Sequence, residues 1–249
     1  MPFSIALAGK GGTGKTTLAG FLIKYLLKMN KKPILAVDAD SNPNLNEVLG
    51  ISYEETLSDA REDMKRGEVP SGMTKDVFMS MRMEEAISES EGYDLVVMGQ
   101  PEGKGCYCAA NTLLSNFLEK LTSNYPVIVM DNEAGMEHIS RLTTSNVDIL
   151  LIVADTSRRG LQAAQRIHEL AKSLNIGVGA EYLILNHVKV PPSEEMLESI
   201  RGNGLELAGM IYGDELVHEY DLQGKPTVEM HEDNQAVKSA YKIFEAILK

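Results

Sequence analysis

Two kinds of apolar pattern alternate along this chain of 249 residues. The stretches "FSIALA" (3–8), "PILAVD" (33–38), "DLVVMG" (94–99), "PVIVMD" (126–131), "DILLIVAD" (148–155), "EYLILN" (181–186) and "ELAGMIY" (206–212) are short, nearly continuous runs. A strand with one wet face alternates apolar with polar residues. Continuous runs instead predict strands covered on both faces, as in a parallel sheet between helix layers. Between the runs, apolar residues recur at spacings of three and four. Over 16–30, Leu18, Phe21, Leu22, Tyr25, Leu26 and Met29 form one stripe, which predicts a helix burying that face, and 160–174 and 233–248 behave similarly. Strand, helix, strand repeated with right-handed crossovers predicts an α/β, doubly wound fold: a mostly parallel sheet of about seven strands flanked by helices.

No internal repeat, low-complexity tract or Pro/Gly linker interrupts the pattern, so residues 1–249 read as a single domain. Residues 50–92 are the irregular part, rich in Glu, Asp, Met and Ser, and predict a helical, insertion-like segment over one end of the sheet. Its charge run reads as a solvated helix face. Met73, Met79, Met81 and Met83 read as fillers of apolar gaps, soft thioether ligation being the other use of such side chains.

Charge narrows the partners. With 24 basic against 36 acidic residues the formal charge is −12, which argues against a broad nucleic-acid footprint. Two cysteines are no secreted disulfide scaffold, and the amino terminus has neither a basic n-region nor a long apolar h-region, so a cytoplasmic protein is expected. No apolar run reaches membrane-spanning length, so no membrane partner is expected.

"GKGGTGKT" (9–16) satisfies G-x-x-x-x-G-K-[ST], with an apolar strand before it and an amphipathic helix after it. Such a loop turns backbone amides inward around phosphates at a helix amino end. Gly11, Gly12, Thr13, Gly14, Lys15, Thr16 and Thr17 are the expected nucleotide-binding residues, with Lys15 reaching the β- and γ-phosphates and Thr16 ligating Mg²⁺. Lys10 is a second lysine in the same loop. With Lys15 already on the γ-phosphate side, Lys10 reads either as a solvated loop residue or as a charge held out to the phosphates of a second subunit. Asp38 and Asp40 end one strand and Asp131 another, the edge of a parallel sheet where ligands bind. Asp131 after four apolar residues fits a carboxylate for Mg²⁺-bound water.

"GKGGTGKTT" (9–17) resembles the deviant phosphate-loop signature K-G-G-x-G-K-[ST] of the ATPase family that includes the nitrogenase iron protein and the cell-division and partition ATPases. The resemblance spans nearly the whole chain, because later motifs follow in order. It implies an ATP-sandwiched homodimer in which Lys10 reaches across the interface. It also implies that Asp40 orients the attacking water, that Asp38 supports the Mg²⁺ shell and that the Gly135 amide senses the γ-phosphate. Lys10, Lys15 and Asp40 are thus the catalytic set. Where the family has "D-T-P-A-G", this chain has Asn132, Glu133 and Ala134 before Gly135. Asn186 matches the family's base-reading asparagine, and Lys189, where guanine sites place an aspartate, favours ATP over GTP. His187 reads as a loop or packing residue. Gly213 and Asp214 match a segment beside the adenine, although Tyr212 replaces its proline.

The only two cysteines stand in "GKGCYC" (103–108). Thiolates at Cys106 and Cys108 can share one soft metal ion, and zinc wants four ligands. A two-fold axis through this loop would make a Cys₄ site from two copies, since an isologous interface duplicates each residue. Zn²⁺ or Ni²⁺ fits that ligand set, and an iron–sulfur cluster fits it too. Inert free thiols are the plainer alternative. The loop resembles the cluster-bearing loop of the nitrogenase iron protein. Its C-x-C spacing and the chain length resemble the CooC-type carbon monoxide dehydrogenase maturation ATPases, nickel-insertion factors. That likeness implies a metallochaperone with carbon monoxide dehydrogenase as client. The alternatives are an iron–sulfur carrier or reductase of the same family, and a membrane- or nucleoid-associated positioning ATPase.

Overall fold

The computed structural model describes residues 2–40, 42–67, 69–99, 119–132, 147–173 and 177–248. The strands are β1 (Phe3–Ala8), β2 (Ile34–Ala39), β3 (Ile87–Glu89), β4 (Tyr93–Val97), β5 (Val127–Asn132), β6 (Val147–Ala154), β7 (Val178–Val188) and β8 (Leu207–Tyr212). They join in one sheet of order β3-β4-β2-β5-β1-β6-β7-β8, parallel throughout except for the antiparallel edge pair β3–β4. The α/β, doubly wound architecture is as the apolar runs predict. β3 is the added strand, and it comes from inside the irregular segment.

The helices among the described residues are α1 (Lys15–Lys28), α2 (Leu45–Leu49), α3 (Leu57–Arg66), α4 (Lys75–Glu85), α5 (Arg158–Ser173), α6 (Glu194–Gly202), α7 (Glu215–Leu222) and α8 (Gln235–Ile247). Each strand sends alternate side chains to two cores. Ile5 and Leu7 of β1 meet α1, α2 and α8 on one face, while Ala6 and Ala8 belong with α3, α4, α5 and α6 on the other. Two covered faces explain why these strands read as unbroken apolar runs. The crossover from β1 uses α1 on one face and that from β6 uses α5 on the other. The chain therefore reverses direction beside β1, and the carboxyl ends of the central strands at such a reversal are the usual ligand position in these sheets.

Residues 50–92 hold α3, α4 and β3, and α3 and α4 are part of the core. Met79 and Met83 are fully buried there and Met81 is exposed, so the methionines that turn inward fill apolar space. Met29 departs from the predicted stripe: it caps α1 and is 52% exposed. No described helix is long and apolar enough to cross a membrane.

Candidate functional site

The loop between β1 and α1 begins against β6. A Cβ on Gly9 would lie 2.2 Å from the Val153 carbonyl oxygen, so only glycine passes there. Thr13, buried, folds the loop back on itself: its hydroxyl donates to the Lys10 carbonyl at 2.8 Å and its amide to the same oxygen at 3.3 Å. Gly14 closes the loop at φ 82°, where a side chain would be strained and a Cβ would strike the Asn186 amide nitrogen at 2.4 Å. Lys15 is buried, and Lys10 is exposed.

Gly14 gives α1 no side-chain cap, and its first turn carries no acidic residue. Thr74, Ser193, Asp214 and Asn234 each cap their own helix with a side-chain oxygen. The amino end of α1 therefore keeps its amides and dipole for an anion.

Facing that end are two carboxylates. Asp38 and Asp131 are register partners on β2 and β5, and Leu7 of β1 is the next neighbour of Asp131. Both are buried, at 0% and 2% exposure. Burial pushes the Asp131 carboxyl up to about 7 from 3.8, against the pull of the Thr16 hydroxyl, with Asp38 adding repulsion. Its Oδ1 is buried without a hydrogen-bond partner. A buried oxygen in that state is costly unless something binds it, and a hydrated divalent cation beside Thr16 suits both groups.

Burial raises Asp38 as well, although it is well bonded. Oδ1 accepts from the Asp40 amide at 3.1 Å, and Oδ2 accepts from the Asn44 and Leu45 amides, each at 2.9 Å. Asp38 thus shapes the loop carrying Asp40 and supplies the start of α2. Asp40 itself is half-buried, and its Oδ1 accepts from the Asn42 amide at 2.9 Å.

Asn186, at the end of β7, is buried and donates to the Thr13 carbonyl at 2.8 Å. One amide hydrogen is thus spent on the phosphate loop. Asp214 is occupied by structure: Oδ1 accepts from the Leu216 and Val217 amides, and Oδ2 from the Asn234 side chain at 3.0 Å. Gly213 donates its amide to the Val188 carbonyl at 3.1 Å. Both close the turn after β8. Cys106, Cys108 and Gly135 lie outside the described residues. Among the described residues, no three His, Cys, Asp or Glu side chains gather as metal ligands would.

Three further residues brace the strands and turns around the loop. Asn132 is buried and donates to the Leu7 carbonyl at 2.9 Å, tying β5 to the strand that feeds the loop. His187 adopts φ 53° and its Nε2 lies 3.1 Å from where a Cβ on Gly14 would sit, so it leans on the loop. Asp155 follows β6, and its Oδ1 accepts from the Ser157 amide at 2.8 Å. The signal for His187 is its position directly after Asn186, and for Asn132 its position directly after Asp131.

Comparison with known proteins places this geometry among relatives. A family model described as the CobQ/CobB/MinD/ParA nucleotide binding domain matches residues 4–228. An uncharacterized ATP-binding protein of Methanocaldococcus jannaschii is 42% identical over 249 residues, 98% of each chain. The carbon monoxide dehydrogenase accessory protein CooC of Rhodospirillum rubrum is 29% identical over 233 residues, 88% of this chain and 87% of its own. The septum site-determining protein MinD of Pyrococcus horikoshii, solved with Mg-ADP, superposes with a TM-score of 0.71 at 22% identity, covering 100% of this chain and 97% of its own.

Proposed function

The chain belongs to the CobQ/CobB/MinD/ParA family of nucleotide-binding ATPases, and from that premise we propose that it hydrolyses Mg-ATP as a homodimer and handles nickel for carbon monoxide dehydrogenase. The observation that carries the reading is the uncapped amino end of α1 facing a buried carboxylate with an unpartnered oxygen.

Thr16 and Asp131 would hold Mg²⁺, with Asp38 behind them. Bound there, the ion would supply charge neutralisation at the phosphates. The rest is done by the chain. The loop amides through Thr17 and the Lys15 ammonium hold the phosphates, and Gly135 belongs to the γ-phosphate side. Asn186 keeps its carbonyl and one N–H for the base, with Gly213 and Asp214 shaping the neighbouring turn. Asp40 orients a water for in-line attack at the γ-phosphorus. The new P–O bond forms as the bond to the β-phosphate oxygen breaks, and ADP leaves. Lys10 of a second copy meets the charge that develops.

Cys106 and Cys108 with their mates then form a four-thiolate site for the metal cargo. Support for this client is the likeness to the R. rubrum accessory protein, and support for nickel is the family resemblance carried by the C-x-C pair. The test is metal analysis by mass with size-exclusion chromatography, with and without ATP and Mg²⁺. The expected result is about one ion per two chains in the dimer, lost in Cys106→Ser and Cys108→Ser. A full ion per solitary chain sinks the bridge. Iron with inorganic sulfide in anaerobic protein would move the assignment to a cluster carrier.

A further inference from the structure

Asn186 and His187 are consecutive residues near the end of β7, and both side chains reach the same face of Gly14. A Cβ on Gly14 would meet the Asn186 amide nitrogen first, then His187 Nε2 at 3.1 Å and Cε1 at 3.5 Å. Neighbours in a regular strand point to opposite faces, so this arrangement needs a break in the pleat. The register contains one: from Leu185 to Val188 β7 takes three steps, while β8 takes two from Met210 to Tyr212. The extra residue makes a bulge, and His187 adopts φ 53° within it. Left-handed backbone is uncommon for a residue with a side chain, and such conformations gather where a ligand is held. Here it turns the imidazole onto the phosphate loop.

The side of the loop that they cover decides what the ring can touch. Loop amides turn inward around phosphates, whereas the Thr13 carbonyl accepts from the Asn186 amide on the outer side, at 2.8 Å. The imidazole is therefore on the carbonyl side, where it cannot stand in for a phosphate-binding amide. His187 is exposed, and among the described residues no hydrogen bond reaches either ring nitrogen. The ring thus extends the surface of Asn186 outward, along the path from the phosphates to the base.

We propose that His187 is a nucleoside-binding residue, its imidazole forming with Asn186 one surface for the sugar and base of the nucleotide. This rests on the reading that the loop binds Mg-ATP. An imidazole offers a flat face to a purine and a nitrogen edge to a ribose hydroxyl. Truncating an aromatic side chain that contacts a base typically weakens binding about five- to a hundredfold. The contact is made to the half of the ligand that inorganic tripolyphosphate lacks, so the two ligands separate the ring from the phosphate loop.

His187→Asn removes the ring and puts in its place a residue that tolerates the left-handed region. In calorimetric titration of the full chain with Mg²⁺ present, the Kd for ADP should rise about five- to fiftyfold in that variant. Tripolyphosphate, competing for the loop, should keep its wild-type affinity. His187→Gly, freest at positive φ, should behave as His187→Asn does. In wild-type protein, the His187 Cε1–H NMR resonance should move on adding Mg-ADP and stay in place with Mg-tripolyphosphate, a readout that does not depend on how well the variants fold. A turn residue without ligand contact would leave the ADP Kd of His187→Asn at the wild-type value and the resonance unmoved, and either result overturns the proposal. Equal weakening of ADP and tripolyphosphate also overturns it, because the effect would then lie in the phosphate loop. Wild-type protein that binds tripolyphosphate but no adenine nucleotide would remove the Mg-ATP reading itself, and the proposal with it.

Discussion

Asp131 is costly to the fold, and the proposed reaction gives that cost a use. Its carboxyl, held near 7 in the folded chain, is close to 3.8 when unfolded. Between those values the folded state binds the extra proton, so stability is greatest below about pH 4 and declines as pH rises through 7. At about 1.4 kcal/mol for each pH unit between the two values, the loss is of order a few kcal/mol. In metal-free protein, the urea midpoint should therefore fall from pH 5 to pH 8, and Asp131→Asn should flatten much of that fall while abolishing Mg-ATP hydrolysis. A variant with the wild-type pH slope would show that the buried carboxylate is compensated in some other way. Lys15, Thr16 and Asp131 were legible because a motif and a strand end announce them. The bond made by Asn132 was not, because its acceptor at Leu7 lies 125 residues away, and the place directly after Asp131 marks the position without the partner. Asp214 was legible as a position only: the helix it caps and the Asn234 it holds account for both its oxygens.

Among the elements, α8 carries the test of a rival reading, in which a terminal amphipathic helix anchors the protein to lipid. Val237, Ala240 and Phe244 are buried against the sheet, and Tyr25 of α1 meets the Tyr241 and Phe244 rings at centroid distances of 5.2 and 5.7 Å. The apolar face is thus spent on the core, which leaves little for a bilayer. Phe244→Ala should cost about 3–5 kcal/mol in chemical denaturation, the scale of a large buried aromatic. Wild-type protein should stay in the supernatant with anionic vesicles. A near-neutral substitution, or co-sedimentation that Phe244→Ala abolishes, would mean that the helix leaves the core. The strongest elements were readable because unbroken apolar runs need two helix layers. β3 was not, since three residues, two of them polar, display no period. Such a short polar edge suits a sheet margin that must not pair with another chain. The first residues of β7, partly exposed while pairing with β6, likewise lack the unbroken apolar signature.

For the whole molecule, the charge of −12 bears directly on pairing. Two such chains repel as they approach, and each brings further negative charge on its nucleotide. At about 10 mM salt the repulsion reaches about 30 Å, and at physiological ionic strength only about 8 Å. The short-range attractions proposed across the interface, Lys10 to phosphate and thiolates to metal, act in contact and are screened less. Raising NaCl from about 10 to 150 mM should therefore strengthen ATP-dependent dimerisation, measured by sedimentation at fixed Mg²⁺ and nucleotide. Dimerisation that weakens steadily with salt would mean that exposed ion pairs between the subunits outweigh the net charge, and that repulsion between the copies does not govern their approach.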